Sequence, residues 1–150
     1  MIKKEINKFL FFIVLCLIYI YLSNAFIKKI SVAYGLNNNY FFQTYISIIS
    51  ILENSFSSTF YKFYLLINDE DFNEENKKIL QNLVDKYKRC KFFFCNINTN
   101  FFFNISIHKQ KKYPKETFYR LLIANYINEE RVIYLDGDTF ILSDLGEMFI

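Results

Sequence analysis

Glycine, proline, cysteine and histidine are all scarce in this sequence. Its 150 residues include three glycines, one proline and one histidine. No Gly/Ser/Pro-rich linker therefore divides the chain. The three cysteines are too few for a disulfide framework, and Cys90 and Cys95 have no histidine near them in the sequence, which makes a zinc site a weak reading of the pair. We interpret both as residues of a strand.

Charge is too weak and too scattered for a nucleic-acid-binding protein. The net charge is +3, and the basic residues form no stripe or cluster, so we expect no nucleic-acid partner. At 53% hydrophobic and 21% aromatic residues, the chain is also too apolar to be disordered. One folded domain of ordinary size is expected, together with one strongly apolar N-terminal block.

That block runs from Phe9 to Ile27 without a charged residue. It is about 19 residues long, close to the roughly 20 that cross a hydrocarbon core as a helix. We predict a basic flank at 1–8 and an uncleaved, single-pass membrane anchor at 9–27. A signal peptide cleaved after Ser23–Ala25 is the alternative, although its apolar region is usually shorter. Because lysines stand on both sides, the orientation and the compartment stay open.

Beyond the anchor, strand-like and helix-like periodicities alternate. Apolar, β-branched and aromatic runs predict four strands, at Ile30–Tyr34, Phe60–Ile67, Cys90–Ile97 and Arg131–Asp136. Helical spacing and capping residues predict three helices between them, at Phe41–Leu52, after Asn73, and from Pro114 to Tyr126. This alternation is typical of an α/β fold with a mostly parallel sheet and flanking helices.

The spacing also predicts which sides of the first two helices are buried. The i, i+3, i+4, i+7 pattern gives each helix an apolar face. For the first helix this face comprises Phe42, Tyr45, Ile46, Ile49 and Leu52. For the second it comprises Ile79, Leu80, Leu83, Val84 and Tyr87.

The stretch "VIYLDGDTFILSDL" places paired acids directly after the last predicted strand. Asp136 and Asp138 are two residues apart, so an extended backbone would project both to the same side. Gly137 lacks a Cβ and would let a ligand approach the backbone. Two hard oxygen ligands suit Mg²⁺ or Mn²⁺, with water and phosphate oxygens completing the shell. The other reading is that the acids only solvate the strand end. Asp144 and Glu147 have the spacing of a capping box.

The segment "FYRLLIANYINEERVIYLDGDTFILSDLGEMF" resembles the signature of glycosyltransferase family eight, the retaining galactosyltransferase- and glycogenin-like enzymes. The likeness extends back to "ISVAYGLNNNYFFQTYISIISILEN". It implies that residues 28–150 are the N-terminal half of a nucleotide-sugar-binding domain of the GT-A type. It also implies metal-dependent transfer of a hexose from a UDP-sugar, with retention, to an unidentified carbohydrate, lipid or protein acceptor.

The resemblance assigns a metal and phosphate site. Asp136 and Asp138 would ligate Mn²⁺, or Mg²⁺, bound to the diphosphate of UDP, with Gly137 between them. Arg120 would lie near the acids and the phosphates. Family members continue for well over a hundred further residues, so we expect the catalytic groups beyond Ile150.

A second group of residues is implied to hold the nucleoside. Asn39 and Tyr40 would bind the uridine, and Tyr40 would stack on the base. Asn37 stands where the family usually has an aspartate, and its amide oxygen would accept from the uracil N–H without a charge. His108 is interpreted as a loop residue that shapes the pocket.

Other functions fit the same residues less well. In phosphatases of the haloacid-dehalogenase class the glycine follows the second aspartate, and the motif opens the domain. A Ca²⁺ loop would need an oxygen ligand where Phe140 stands. The non-enzymatic alternative is a membrane-tethered remnant that binds nucleotide-sugar without turnover. A glycosylation sequon at Asn104 matters only if that segment enters a secretory lumen.

Overall fold

The computed structural model describes residues 10–19, 27–98 and 114–149. Four strands form one sheet in the order β3-β2-β1-β4, and every neighbouring pair is parallel. The strands are β1 (Lys28–Gly35), β2 (Thr59–Ile67), β3 (Cys90–Asn96) and β4 (Ile133–Tyr134). The α/β prediction of a mostly parallel sheet is confirmed. Cys90 and Cys95 lie on β3 as free thiols, as interpreted.

Strand β4 is shorter than predicted. Only Ile133 and Tyr134 pair with β1, and one further hydrogen bond runs from the N–H of Leu135 to the carbonyl of Ala33, at 3.0 Å. The predicted extension to Asp136 is wrong because the backbone turns there. The turn is described with the site below.

Helices connect the strands as the alternation predicts. They are α1 (Phe41–Asn54), preceded by a 3-10 turn at Asn38–Tyr40, and α2 (Glu74–Tyr87). The predicted cap of α2 is confirmed, since the side chain of Asn73 accepts from the N–H of Asn76 at 2.9 Å. Between β3 and β4, a 3-10 helix (Lys115–Leu122) continues into one α-turn (Ile123–Tyr126). Pro114 precedes this 3-10 helix with ψ 146°, so it caps the helix rather than lying in its first turn.

Each face of the sheet carries its own layer of packed side chains. On one face, residues such as Val32, Phe63 and Leu65 pack with α1 and α2. On the other, Ala33 and Leu66 pack against Tyr119 of the 3-10 helix. The predicted apolar face of α2 is confirmed for four of its five residues: Leu80 and Leu83 are buried, and Val84 and Tyr87 pack at the edge of the same cluster. Ile79 is only half-buried.

The predicted apolar face of α1 is wrong in part. Phe42 and Ile46 are exposed, whereas three residues with hydroxyl groups, Thr44, Ser47 and Ser50, are buried. The other buried residues of the helix are Ile48, Ile51 and Leu52. Eight of the fourteen residues of the helix are apolar and they spread over a wide arc of its surface, so periodicity alone could not select its buried face. Small hydroxyl side chains are buried there because a later segment packs against them: the N–H of Ile141 donates to Ser50 Oγ at 2.9 Å.

The final described segment is fixed by Asp144 rather than by a capping box alone. One carboxylate oxygen of Asp144 accepts from the N–H of Phe56 (2.6 Å) and the hydroxyl of Thr59 (2.8 Å). The other accepts from the N–H of Gly146 (2.5 Å) and the hydroxyl of Tyr61 (3.3 Å). The following 3-10 helix (Leu145–Phe149) buries Leu145 in the core.

Residues 10–19 are helical. Within the described ranges, no helix has the length and apolar character needed to cross a membrane. The predicted anchor extends beyond that helix, and residues 9 and 20–26 of it lie outside the described residues. His108 and the sequon at Asn104 also lie outside them.

Candidate functional site

A cleft of about 420 Å³ opens at the carboxyl ends of β1 and β4. In parallel sheets this edge is where ligands bind, because loops and helix starts surround it. Side chains from three separate parts of the chain meet there. The lining residues are Gly35, Tyr40, Gln43, Pro114, Glu116, Thr117, Arg120, Tyr134, Asp136, Gly137 and Asp138.

The paired acids lie on a turn and not on an extended strand. The N–H of Thr139 donates to the carbonyl of Asp136 at 3.1 Å, and the Thr139 hydroxyl donates to the same oxygen at 2.8 Å. The reason first given for their shared side, an extended backbone, is therefore wrong. The turn nevertheless brings Asp136 and Asp138 to the same cleft.

Gly137 is needed for packing inside the protein. A Cβ at this position would lie 2.4 Å from Thr44 Oγ1 on α1, far inside contact distance. The sequence suggested that the missing Cβ leaves room for a ligand, but the side chain of Thr44 occupies that room. Thr44 is 1% exposed, so α1 supports the acidic turn from beneath.

The Arg120 guanidinium holds the first acid of the pair. Its Nη2 lies 2.8 Å from Asp136 Oδ1, and its Nε donates to the carbonyl of Thr117 at 2.9 Å. The guanidinium also lies 4.7 Å from the centre of the Tyr134 ring. Burial raises the pKa of the Tyr134 hydroxyl, with the positive charge of Arg120 opposing that shift. The phenol therefore stays protonated beside the cation.

Gly35 lets the helix that carries Arg120 approach the sheet. A Cβ on Gly35 would lie 2.6 Å from the carbonyl oxygen of Glu116 and 3.4 Å from Tyr119 Cβ. Both neighbours belong to the 3-10 helix. Backbone cannot move aside as easily as a flexible side chain, so this glycine sets how near Arg120 comes to the end of β1.

The residues predicted to hold the nucleoside are only partly on the cleft. Tyr40 lines it and is 44% exposed. Asn37 and Asn39 belong to the same turn but are not among the lining residues. The side-chain oxygen of Asn37, predicted to accept from uracil, accepts instead from the N–H groups of Asn39 (2.9 Å) and Tyr40 (3.3 Å). Asn37 thus shapes the turn that presents Tyr40.

Sequence reasoning missed the groups that support the acidic turn. The Tyr34 hydroxyl lies 2.8 Å from Ser47 Oγ, which lies 3.3 Å from Thr139 Oγ1. Burial raises the pKa of Tyr34 far above its ordinary range, so the phenol remains a neutral partner in this chain of hydroxyls. The available signal was a serine among the apolar residues of α1. It could not reveal a partner 92 residues later in the chain.

The donor set at the cleft suits part of a metal site. Asp136 and Asp138 offer two carboxylates, the ligand type that Mn²⁺ and Mg²⁺ prefer. In the part of the chain that the structure describes, no three His, Cys, Asp or Glu side chains are grouped as a metal site. Two carboxylates fit an ion that takes its remaining ligands from water and from phosphate oxygens.

The sequence also matches a known protein family. The family model described as "Glycosyl transferase family 8" matches residues 31–150. The chain belongs to this family. A protein of Haemophilus influenzae named as a glycosyltransferase is 36% identical over 112 residues, a match covering 69% of this chain and 30% of that protein. Residues 31–150 include every predicted site residue.

Solved glycosyltransferases share the fold of this family 8 chain. WbbM, a bifunctional glycosyltransferase, matches with a TM-score of 0.65 and 25% identity over 81% of this chain and 21% of its own. The galactosyltransferase LgtC, in complex with donor and acceptor sugar analogues, matches with a TM-score of 0.61 and 22% identity over 81% of this chain and 41% of its own. The glycosyltransferase GlyE of Streptococcus pneumoniae matches with a TM-score of 0.60 and 23% identity, over 81% of this chain and 26% of its own. The chain thus spans less than half the length of these proteins.

Proposed function

We propose that this chain forms the donor-binding part of a metal-dependent, retaining hexosyltransferase that uses a UDP-sugar. The observation that carries the proposal is the convergence of Tyr40, Arg120, Asp136 and Asp138 on one cleft. These four come from three separate parts of the chain. Together they offer an aromatic ring, a guanidinium and two carboxylates, the groups that a nucleoside diphosphate bound through a metal requires.

Arg120 and Tyr40 are proposed to bind opposite ends of the donor. The planar guanidinium of arginine matches the oxygens of a phosphate group in two parallel hydrogen bonds. The Tyr40 ring lines the same cleft and is accessible, so a uracil could stack on it. Asn39, on the same turn, is proposed to help hold the uridine, whereas the contact from Asn37 to uracil would first require its amide oxygen to leave the turn.

Asp136 and Asp138 would hold the Mn²⁺ or Mg²⁺. When bound, the ion would supply positive charge to the UDP leaving group. In the absence of the ion, the guanidinium of Arg120 neutralises Asp136. The two side chains are 40% and 54% exposed, and ion pairs this accessible contribute only about 0.2–1 kcal/mol. Replacing the arginine by a metal ion at Asp136 therefore costs little free energy, and the freed guanidinium would then be available to the diphosphate.

The remaining parts of the proposal are the membrane attachment, the acceptor and the catalytic groups. We propose that residues 9–27 attach the chain to a membrane as a single-pass anchor. The acceptor is a carbohydrate, free or on a lipid or protein carrier. Catalytic groups are expected outside the residues described, and the alternative of a donor-binding remnant is tested by turnover. When those catalytic groups are present, release of UDP from UDP-glucose or UDP-galactose should depend on an acceptor and should disappear in Asp136→Asn.

Donor binding can be tested before any acceptor is known. UDP should bind the full chain, measured by calorimetry, more tightly with Mn²⁺ than with a chelator. Asp138→Asn removes one anionic ligand and should abolish most of that difference. Asp85→Asn, an exposed acid on α2, is the matched control and should behave as wild type. An equal gain from Mn²⁺ in wild type and Asp138→Asn would contradict the metal assignment.

A further inference from the structure

At the edge of the sheet opposite the cleft, the first strand begins where the N-terminal apolar segment ends. Strand β1 starts at Lys28, directly after Ile27. All four strands are parallel, so their amino ends share this edge. With β2 nine residues long and a rise of about 3.3 Å per residue, the cleft lies roughly 30 Å away.

Four exposed apolar side chains lie at this amino edge. They form what we call the amino-edge patch, defined as Ile27 (40% exposed), Phe56 (64%), Leu142 (80%) and Met148 (69%). Large apolar side chains on a soluble surface are usually scattered singly, and a group of them marks an interaction surface.

Specific hydrogen bonds bring these four residues to one place. The N–H of Lys28 donates to the carbonyl of Ser58 at 3.0 Å, which places Ile27 beside the turn that carries Phe56. Asp144 accepts from the N–H of Phe56. The Lys28 ammonium donates to the carbonyl of Gly146, two residues before Met148. The side-chain amide of Asn54 donates to the carbonyl of Ile141, next to Leu142, at 2.8 Å.

Charge is distributed unevenly between the two edges. Exposed basic side chains stand near the amino ends of the strands: Lys29, Lys88, Lys91 and Arg131. Acidic side chains follow the carboxyl ends: Asp69, Glu70, Asp136 and Asp138. At the amino edge, Lys62 neutralises Glu129 at 2.7 Å and Lys86 lies 3.6 Å from Glu53. Glu130 and Glu147, the latter next to Met148, are exposed acids at this edge. Apolar side chains on an edge that carries exposed lysine and arginine are typical of a surface that lies in the headgroup layer of a phospholipid membrane.

We propose that the amino-edge patch rests on the membrane surface and that the donor cleft faces away from the bilayer. This rests on the proposed membrane attachment and is independent of the proposed transferase activity. The occupant is a lipid surface because Ile27, the last residue of the apolar segment, is itself part of the patch. The cleft is thereby held about 30 Å above the lipid, where it can accept a sugar from the aqueous phase.

The absence of tryptophan permits a direct test. Phe56→Trp and Phe42→Trp each introduce a single tryptophan at the two ends of α1, at positions with matched exposure of 64% and 66%. The full-length variants are reconstituted into phospholipid vesicles containing anionic lipid and isolated by flotation. Tryptophan quenching by lipids brominated high on the acyl chain is then measured, and circular dichroism checks that each variant is folded.

The proposal requires strong quenching of Trp at position 56 and little at position 42. Met148→Trp is a second reporter at the same edge and should be quenched like Phe56→Trp. Equal quenching at positions 56 and 42 would mean that the domain lies on its side, and no quenching at 56 would mean that the patch faces water or another protein. Either result overturns the proposal. A chain that does not float overturns both the patch and the membrane attachment, whereas UDP binding tests the transferase separately.

Discussion

The contact between Gly137 and Thr44 shows how one missing carbon atom fixes the acidic turn. No glycine in the described residues has a positive φ, so an alanine could adopt the backbone of Gly137 without strain. The obstacle is the Thr44 hydroxyl, 2.4 Å from where the new Cβ would stand. That hydroxyl has no hydrogen-bond partner among the described residues, and removing it therefore leaves no group unsatisfied.

Gly137→Ala should thus be harmful only while Thr44 is present. We expect it to cost about 1–3 kcal/mol of unfolding free energy through overpacking and to weaken Mn²⁺-dependent UDP binding. Thr44→Ala alone should be close to neutral, because alanine favours helices. In the double variant, the Cβ of residue 44 would lie at an ordinary 3.6 Å from the new Cβ of residue 137. The double variant should recover most of the loss. Urea unfolding and calorimetry measure both effects, and additive losses would contradict the contact.

Arg120 should affect metal and nucleotide in opposite directions. Arg120→Ala removes the cation that pairs with Asp136, so Mn²⁺ alone should bind more tightly. It also removes the proposed phosphate ligand, so UDP with Mn²⁺ should bind several-fold more weakly. Arg131→Ala, an exposed arginine away from the cleft, is the control. If both affinities move in the same direction, Arg120 does not exchange between Asp136 and phosphate.

At the scale of elements, the segment after the acidic turn is fixed by a buried carboxylate. Asp144 is 4% exposed. Burial alone would raise its pKa, but hydrogen bonds from Phe56, Thr59, Gly146 and Tyr61 outweigh burial and lower the pKa below its ordinary value of 3.8. The ionised form therefore stabilises the fold at neutral pH, and that contribution disappears as the pH falls through the lowered pKa.

Asp144→Asn should destabilise the chain at pH 7 and much less in acid. Losing a charged acceptor of four hydrogen bonds should lower the unfolding free energy by about 1–3 kcal/mol at neutral pH. The difference from wild type should shrink below pH 4, where the wild-type carboxylate takes up its proton. Urea unfolding in detergent micelles at both pH values checks this, with Asp85→Asn as the control. A difference that does not change with pH would assign the effect to packing and not to charge.

At the scale of the whole molecule, the prediction concerns attachment. A segment of about 19 uncharged residues has the length of a membrane span, so the full chain should sediment with membranes and resist extraction with carbonate. Mass spectrometry of the expressed protein gives the N-terminus. A mature chain beginning at Phe26 would establish cleavage of a signal peptide, and full extraction of an intact chain would contradict the anchor.

The sequence by itself determined the alternation of elements and the place of the site. Period-two runs and helical spacing gave the order of strands and helices, because each residue in them follows a local rule of side-chain direction. The aspartates at Asp136 and Asp138 came after a strand, and parallel strands bring such ends to one edge. Arg120 and Tyr40 joined them through resemblance to the family, and the structure places all four at one cleft.

Only the tertiary structure decided which atoms face one another there. It buried Ser47 and exposed Phe42, because the segment at 139–142 packs on α1 from far along the chain. It paired Arg120 with Asp136 and turned the oxygen of Asn37 into its own loop. Periodicity within one helix describes local geometry, and contacts between residues far apart in sequence depend on how separate elements pack together.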